Sequence, residues 1–215
     1  MITLSRPLSC LGLAIVLATA AAGVQAREVA GDASAQIRRT SFGVPHILAS
    51  DERGLGYGIG YAYAQDNLCL LADEVLTVSG ERSRVHGREA STVDQRNNLD
   101  SDLFFAWLNT PQAVDGFLQA QPPAMRALLD GYASGYNRAL AERTAQGLPA
   151  ECGNGEGVRP ITRGDLAKLT RRLLAEAGVG QFAEALVGAA PPGLAMAPER
   201  ARFTHALARQ QHFAG

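Results

Sequence analysis

Glycine occupies every second position from Gly54 to Gly60, inside a stretch whose other residues follow a helical pattern. A glycine in a helix interior costs about 1 kcal/mol relative to alanine. Four of them in seven residues therefore predict a helix kept smooth so that another element can approach closely. Asp51 is placed to cap this helix and Glu52 suits its first turn, with Leu55, Ile59, Ala62 and Tyr63 expected on one apolar face. A phosphate-binding loop is excluded, because G-x-G-x-x-G would need glycine where Ile59 and Tyr61 stand, and no G-x-x-x-x-G-K-[ST] occurs.

The rest of the chain is read around that helix. With 215 residues, 47% hydrophobic and 19% charged, the composition is that of a globular domain. A net charge of −1 gives no electrostatic case for nucleic acid or an anionic membrane. Arg6 is the only charge in residues 1–26, Leu11 to Ala22 is apolar, and Val24-Gln25-Ala26 supplies small residues for cleavage. These three parts predict a secretory signal over 1–26, with an apolar run shorter than the roughly 20 residues that span a bilayer. Export leaves two cysteines, Cys69 and Cys152, once Cys10 is removed. They are either bridged, closing a loop of over eighty residues, or Cys69 is a buried thiol in a helix.

Residues 36–48 alternate around Gly43-Val44-Pro45, which predicts two short strands or one strand bent at the proline. A second helix is expected to follow the glycine-rich one, with Leu68, Leu71, Val75 and Leu76 on one side, ending near Gly80. Residues 86–98 read as a polar connection, and Leu99 to Leu108 as a short aromatic segment. Thr110-Pro111 opens another helix. Met125, Leu128, Leu129, Tyr132, Tyr136 and Leu140 form the strongest amphipathic pattern. Thr162 with Asp165 signals a capped helix carrying Leu166, Leu169, Leu173 and Leu174. The fold class is therefore mostly α with one or two short N-terminal strands. Such strands need a sheet supplied from elsewhere.

Catalytic chemistry is sparse. His46, His86, His205 and His212 are scattered, with no cysteine or carboxylate at ligand spacing, so no metal is expected. No G-x-S-x-G elbow occurs. The pair Asp73-Glu74 reads as a solvated helix face.

Three motifs carry a resemblance. Gly43-Val44-Pro45-His46-Ile47, Gly60-Tyr61-Ala62-Tyr63-Ala64-Gln65-Asp66-Asn67 and Gly80-Glu81-Arg82 resemble the opening of the penicillin amidase family. Many members carry arginine after Ala-Gln-Asp, where this chain has Asn67. That variant, with residues 51–60 and 169–174, is similar to the periplasmic acyl-homoserine-lactone acylases. The likeness runs from about Ile37 to Pro192.

The resemblance implies an α subunit, residues 27–193, wrapped around an αββα N-terminal-nucleophile hydrolase core that a β subunit mainly supplies. Residues 194–215 would be an excised spacer. The nucleophile would be a serine directly after Gly215, the processing position, with its own α-amine as base; no catalytic residue is expected within this chain. By resemblance Leu169, Arg172 and Leu173 line the mouth of an acyl-chain pocket, with Arg172 acting as a gate or pairing with a partner carboxylate. Related penicillin acylases take a calcium ligand just after this helix, but Val179-Gly180-Gln181 offers none, so no metal or cofactor is carried over. The implied function is the α portion of a periplasmic amidase that hydrolyses N-acyl-homoserine lactones and is inactive without the β subunit. A penicillin- or cephalosporin-type acylase subunit, a non-catalytic helical binding module and a truncated gene product remain as alternatives.

Overall fold

The computed structural model describes residues 33–91 and 96–190. The expected signal, the spacer and Gly215 lie outside the described residues. Strands β1 (Gln36–Arg39) and β2 (Pro45–Leu48) pair antiparallel, with Ile37 opposite Ile47 and Arg38 opposite His46. Thr40 N donates to Val44 O at 3.1 Å, and Gly43 N to Thr40 O at 2.9 Å. Gly43 has φ 81°, a left-handed conformation that suits glycine at this position of a three-residue hairpin loop.

Helices follow: α1 (Glu52–Val78), α2 (Arg82–His86), α3 (Asn98–Leu108), α4 (Pro111–Gln119), α5 (Pro123–Gln146), α6 (Arg163–Glu176) and α7 (Ala183–Val187). Asp51 caps α1, its Oδ1 accepting from Gly54 N at 2.6 Å. The two helices expected before Gly80 are one, kinked at Asn67, whose φ −137° and ψ 32° are not helical. The residue that departs from the family motif thus falls at the kink.

The glycine alternation is explained by two contacts made at once. Residues two apart on a helix face opposite ways, and residues four apart face the same way. Gly54 and Gly58 lie against Ser34, Ala35 and Ile47, while Gly56 and Gly60 lie against the α5 backbone at Leu128 and Tyr132. From the other side, Gly131 and Gly135 of α5 meet the α1 backbone at Arg53 and Tyr57. The buried face of this helix is therefore its small residues, and the expected apolar face is corrected: Tyr63 is exposed while Ala62 and Ala64 are buried. In α5 the same correction applies, with Gly131, Ala133, Gly135, Tyr136, Ala139 and Leu140 buried and Met125 exposed. Backbone proximity, which favours no side chain, outweighs the hydrophobic pattern here.

Beyond the kink, ordinary packing resumes. Leu68, Leu71 and Val75 join Tyr136, Leu140, Ile161 and Leu166 in one core cluster. Val78, Phe104, Phe105 and Ala183 form a second, with Phe104 and Phe105 edge to face at 5.2 Å.

Candidate functional site

The motifs that carry the family resemblance serve as joints of the fold. Arg39 donates to Asp66 Oδ2 at 2.9 Å, Gln65 Oε1 at 3.0 Å and the Gly43 carbonyl at 2.8 Å, clasping the hairpin to α1 just before the kink. Arg82 is buried and donates to Asn98 Oδ1 at 3.1 Å, Thr77 Oγ1 at 3.0 Å and Asp73 Oδ1 at 2.6 Å. Asp102 accepts from the backbone N–H of Arg82 and Ser83 at 2.9 and 2.8 Å, joining α1, α2 and α3. Asp73 and Glu74 are accordingly not a solvated face. Both are half-buried, Asp73 paired with Arg82 and Glu74 with Arg172. The compensating arginines lie 9 and 98 residues away in sequence, which the local pattern does not reveal.

Helix α6 is fastened along its length. Thr162 and Asp165 form a capping box, with Asp165 Oδ2 accepting from Thr162 N at 2.9 Å. Arg159 forks onto both oxygens of Asp165 at 3.1 and 3.0 Å and reaches Ser79 Oγ at 3.2 Å. Lys168, the chain's single lysine, sits 3.6 Å from Asp165 and 3.3 Å from Ser79. Burial alone would raise the Asp165 carboxyl, but the Arg159 guanidinium and the Thr162 bonds outweigh it and hold the group below its ordinary value. Arg163 pairs with Asp130 at 2.7 Å, and Arg171 donates to the Leu108 carbonyl at 2.6 Å. These contacts tie α6 to α1, α3 and α5. Its remaining side carries Leu173 and Leu174, both about two-thirds exposed, and the chain beyond it exposes Phe182 and Leu186.

The residues of the expected pocket mouth therefore divide. Leu169 is half-buried and packs against both core clusters. Arg172 pairs with Glu74 of this chain, so its carboxylate partner is internal. Leu173, one turn beyond Leu169, faces solvent. Cys69 and Cys152 are bonded, with their Cα atoms 4.8 Å apart, linking α1 to a 3₁₀ turn at Ala150–Cys152. Two concavities, one between α1 and α5 beside Tyr61 and Glu142 and one beside the hairpin, are open and include no α6 residue. Among the described residues no group of three His, Cys, Asp or Glu side chains is placed to hold a metal ion. Sequence reasoning missed Glu74, Arg159 and Arg171. Only Arg159, three residues before the Thr162 cap, lay close enough to its target to have left a local signal.

The Penicillin amidase family model matches residues 34–206. The chain belongs to the penicillin amidase family. It is 69% identical over 209 residues to the acyl-homoserine lactone acylase PvdQ of Pseudomonas putida, a match covering 97% of this chain and 27% of that protein. It is 34% identical over 203 residues to the aculeacin-A acylase of Actinoplanes utahensis, covering 89% of this chain and 25% of that one. A thermostable penicillin G acylase from Alcaligenes faecalis has the same fold, with TM-score 0.53 and 24% identity over 77% of this chain and 97% of the solved one. The chain spans about a quarter of the length of the curated relatives it matches. As a penicillin amidase family member it is mostly helical, with one small antiparallel pair of strands among the described residues.

Proposed function

We propose that residues 27–193 are the α-subunit portion of an exported amide hydrolase that cleaves N-acyl-homoserine lactones into fatty acid and homoserine lactone. The observation that carries this reading is the identity gap. Likeness to the acyl-homoserine lactone acylase is about twice that to the aculeacin-A acylase, over nearly the whole chain. The serine nucleophile and its amine base belong to a C-terminal β subunit that begins with that serine. A periplasmic site of action and an excised spacer over 194–215 belong to the same reading.

The part this chain plays is to shape the acyl end of the site. Leu173 and Leu174 offer apolar surface on a helix whose basic side chains are all engaged within the chain, and each methylene buried there favours binding by about 0.8 kcal/mol. Arg172, held by Glu74, flanks that surface without presenting an unpaired charge to a fatty chain.

Residues 27–215 co-expressed with the C-terminal remainder of the P. putida acylase should release homoserine lactone from a series of N-acyl-homoserine lactones, and residues 27–215 alone should release none. Release by the shorter chain alone would refute the placement of the nucleophile. Faster cleavage of penicillin G than of every lactone in the series would move the assignment to the penicillin-acylase type.

A further inference from the structure

Asp73 and Glu74 are neighbours on α1 with side chains 38% and 35% exposed, and each is matched by an arginine. The two arginines belong to different parts of the fold. Arg82 is buried in the joint of α1, α2 and α3, whereas Arg172 stands in the second half of α6, directly before Leu173. The halves of α6 are held differently. Its buried residues, Asp165, Leu166 and Ala167, all lie in the first half. In the second half, the side-chain bonds to other elements among the described residues start from Arg171 and Arg172. Arg171 donates to the Leu108 carbonyl at 2.6 Å and to Asn109 Oδ1 at 3.2 Å, at the end of α3. Arg172 donates to Glu74 and so ties this half of the helix to α1. Leu173 and Leu174, next in sequence, are 68% and 69% exposed, so core packing does not fix their direction.

We infer that Glu74 is a positioning residue for the acyl chain: through Arg172 it holds the Leu173–Leu174 surface in place and so raises the preference for long acyl groups over short ones. This rests on the reading that the assembled protein cleaves N-acyl-homoserine lactones. Successive residues of a helix turn together, so an arginine anchored at 172 also sets the direction of the leucines that follow it. Apolar surface that is already ordered binds a chain without the cost of ordering. An acyl group that lays more methylenes on that surface draws more of its binding from it, and loses more when the surface is loosened. A short acyl group covers little of it and loses little. Asp73 is the natural comparison. It sits one residue away, is about as exposed as Glu74 and is also paired, but its arginine leads into the α1–α2–α3 joint and not to α6.

Enzyme assembled from residues 27–215 and the C-terminal remainder of the P. putida acylase tests this with hexanoyl- and dodecanoyl-homoserine lactone as substrates. Glu74→Gln should raise KM for the dodecanoyl lactone by about fivefold. KM for the hexanoyl lactone and kcat for both should stay within about twofold, the pattern of lost binding with the chemical step intact. Glu74→Asp keeps the charge on a shorter arm and should recover the greater part of the loss, to within about twofold of the parent. Asp73→Asn should lower the thermal midpoint at least as far as Glu74→Gln does, yet keep the parent's ratio of the two KM values. An unchanged KM ratio in Glu74→Gln would overturn the inference and leave the lactone-cleaving reading standing. An equal shift of the ratio in Asp73→Asn would show general loosening of the fold and overturn it as well. A parent assembly that cleaves neither lactone would overturn the inference and the reading together. Should Glu74→Gln not assemble, amide exchange in Glu74→Asp carries the test. Exchange across residues 170–176 should quicken by about threefold with Leu166 and Ala167 unchanged, and parent rates throughout would overturn the inference.

Discussion

Single residues in this chain show how a buried polar group is settled, or is not. Asp165 is buried yet ionised because Arg159, Thr162 and the start of α6 all meet it. Its folded pKa lies below the ordinary value, so its contribution to stability is complete above the normal carboxylate range, about pH 4, and is lost as pH falls below that range. Asp165→Asn should therefore flatten the acid limb of the thermal midpoint against pH, and a limb as steep as the parent's would contradict this. Tyr136 is the opposite case. Its ring is fully buried, burial pushes its hydroxyl up to about 12, and the hydroxyl oxygen has no hydrogen-bond partner among the described residues. Tyr136→Phe removes an unsatisfied group while keeping the ring, so urea unfolding should show a gain of about 1 kcal/mol.

Among the elements, the α1–α5 pair decides the architecture. Helices usually meet through side chains, with axes about 8–10 Å apart. Here glycines from both helices let one backbone lie against the other, as small residues do wherever helices approach closely. Gly131→Ala adds a methyl where the Arg53 carbonyl already sits. Despite the better helix propensity of alanine, it should destabilise the chain by about 2 kcal/mol or more. Gly116 of α4 has open space around it, and Gly116→Ala there should stabilise by about 1 kcal/mol. Urea midpoints measured side by side test the pair, since a propensity effect alone would move both variants the same way.

For the molecule as a whole, the Cys69–Cys152 bond is the long-range tie, joining positions 83 residues apart. Through the 3₁₀ turn and the loop to Arg159 it connects α1 with the start of α6, the helix that bears the proposed acyl surface. Replacing both cysteines with serine should lower stability by up to about 4–5 kcal/mol in the chain-entropy account, with the parent falling to the same level under reducing conditions. A parent indifferent to reductant would show that the bond adds nothing. In the assembled enzyme, Leu173→Trp should shift preference towards shorter acyl chains, and an unchanged chain-length profile would count against Leu173 as part of the pocket.

The sequence by itself determined what depends on neighbours along the chain. The Asp51 and Thr162 caps, the hairpin turn at Gly43, the start of α4 at Pro111 and the family motifs were all legible, because capping, turn conformation and motif order act within a few residues. It also determined that the glycine run must meet another element, since nothing else offsets four such residues in a helix. Only the tertiary structure decided which element that was, that each helix set its glycines against the other's backbone, and that Asp73 and Glu74 were matched by arginines instead of water. Close backbone packing leaves no hydrophobic period to read, and a charge paired across 98 residues has the same local sequence as a charge in solvent. The pocket mouth was decided in the same way. Leu169 and Leu173 carry identical side chains one helical turn apart, and only the packing of the two core clusters against α6 places one near the core and leaves the other at the surface.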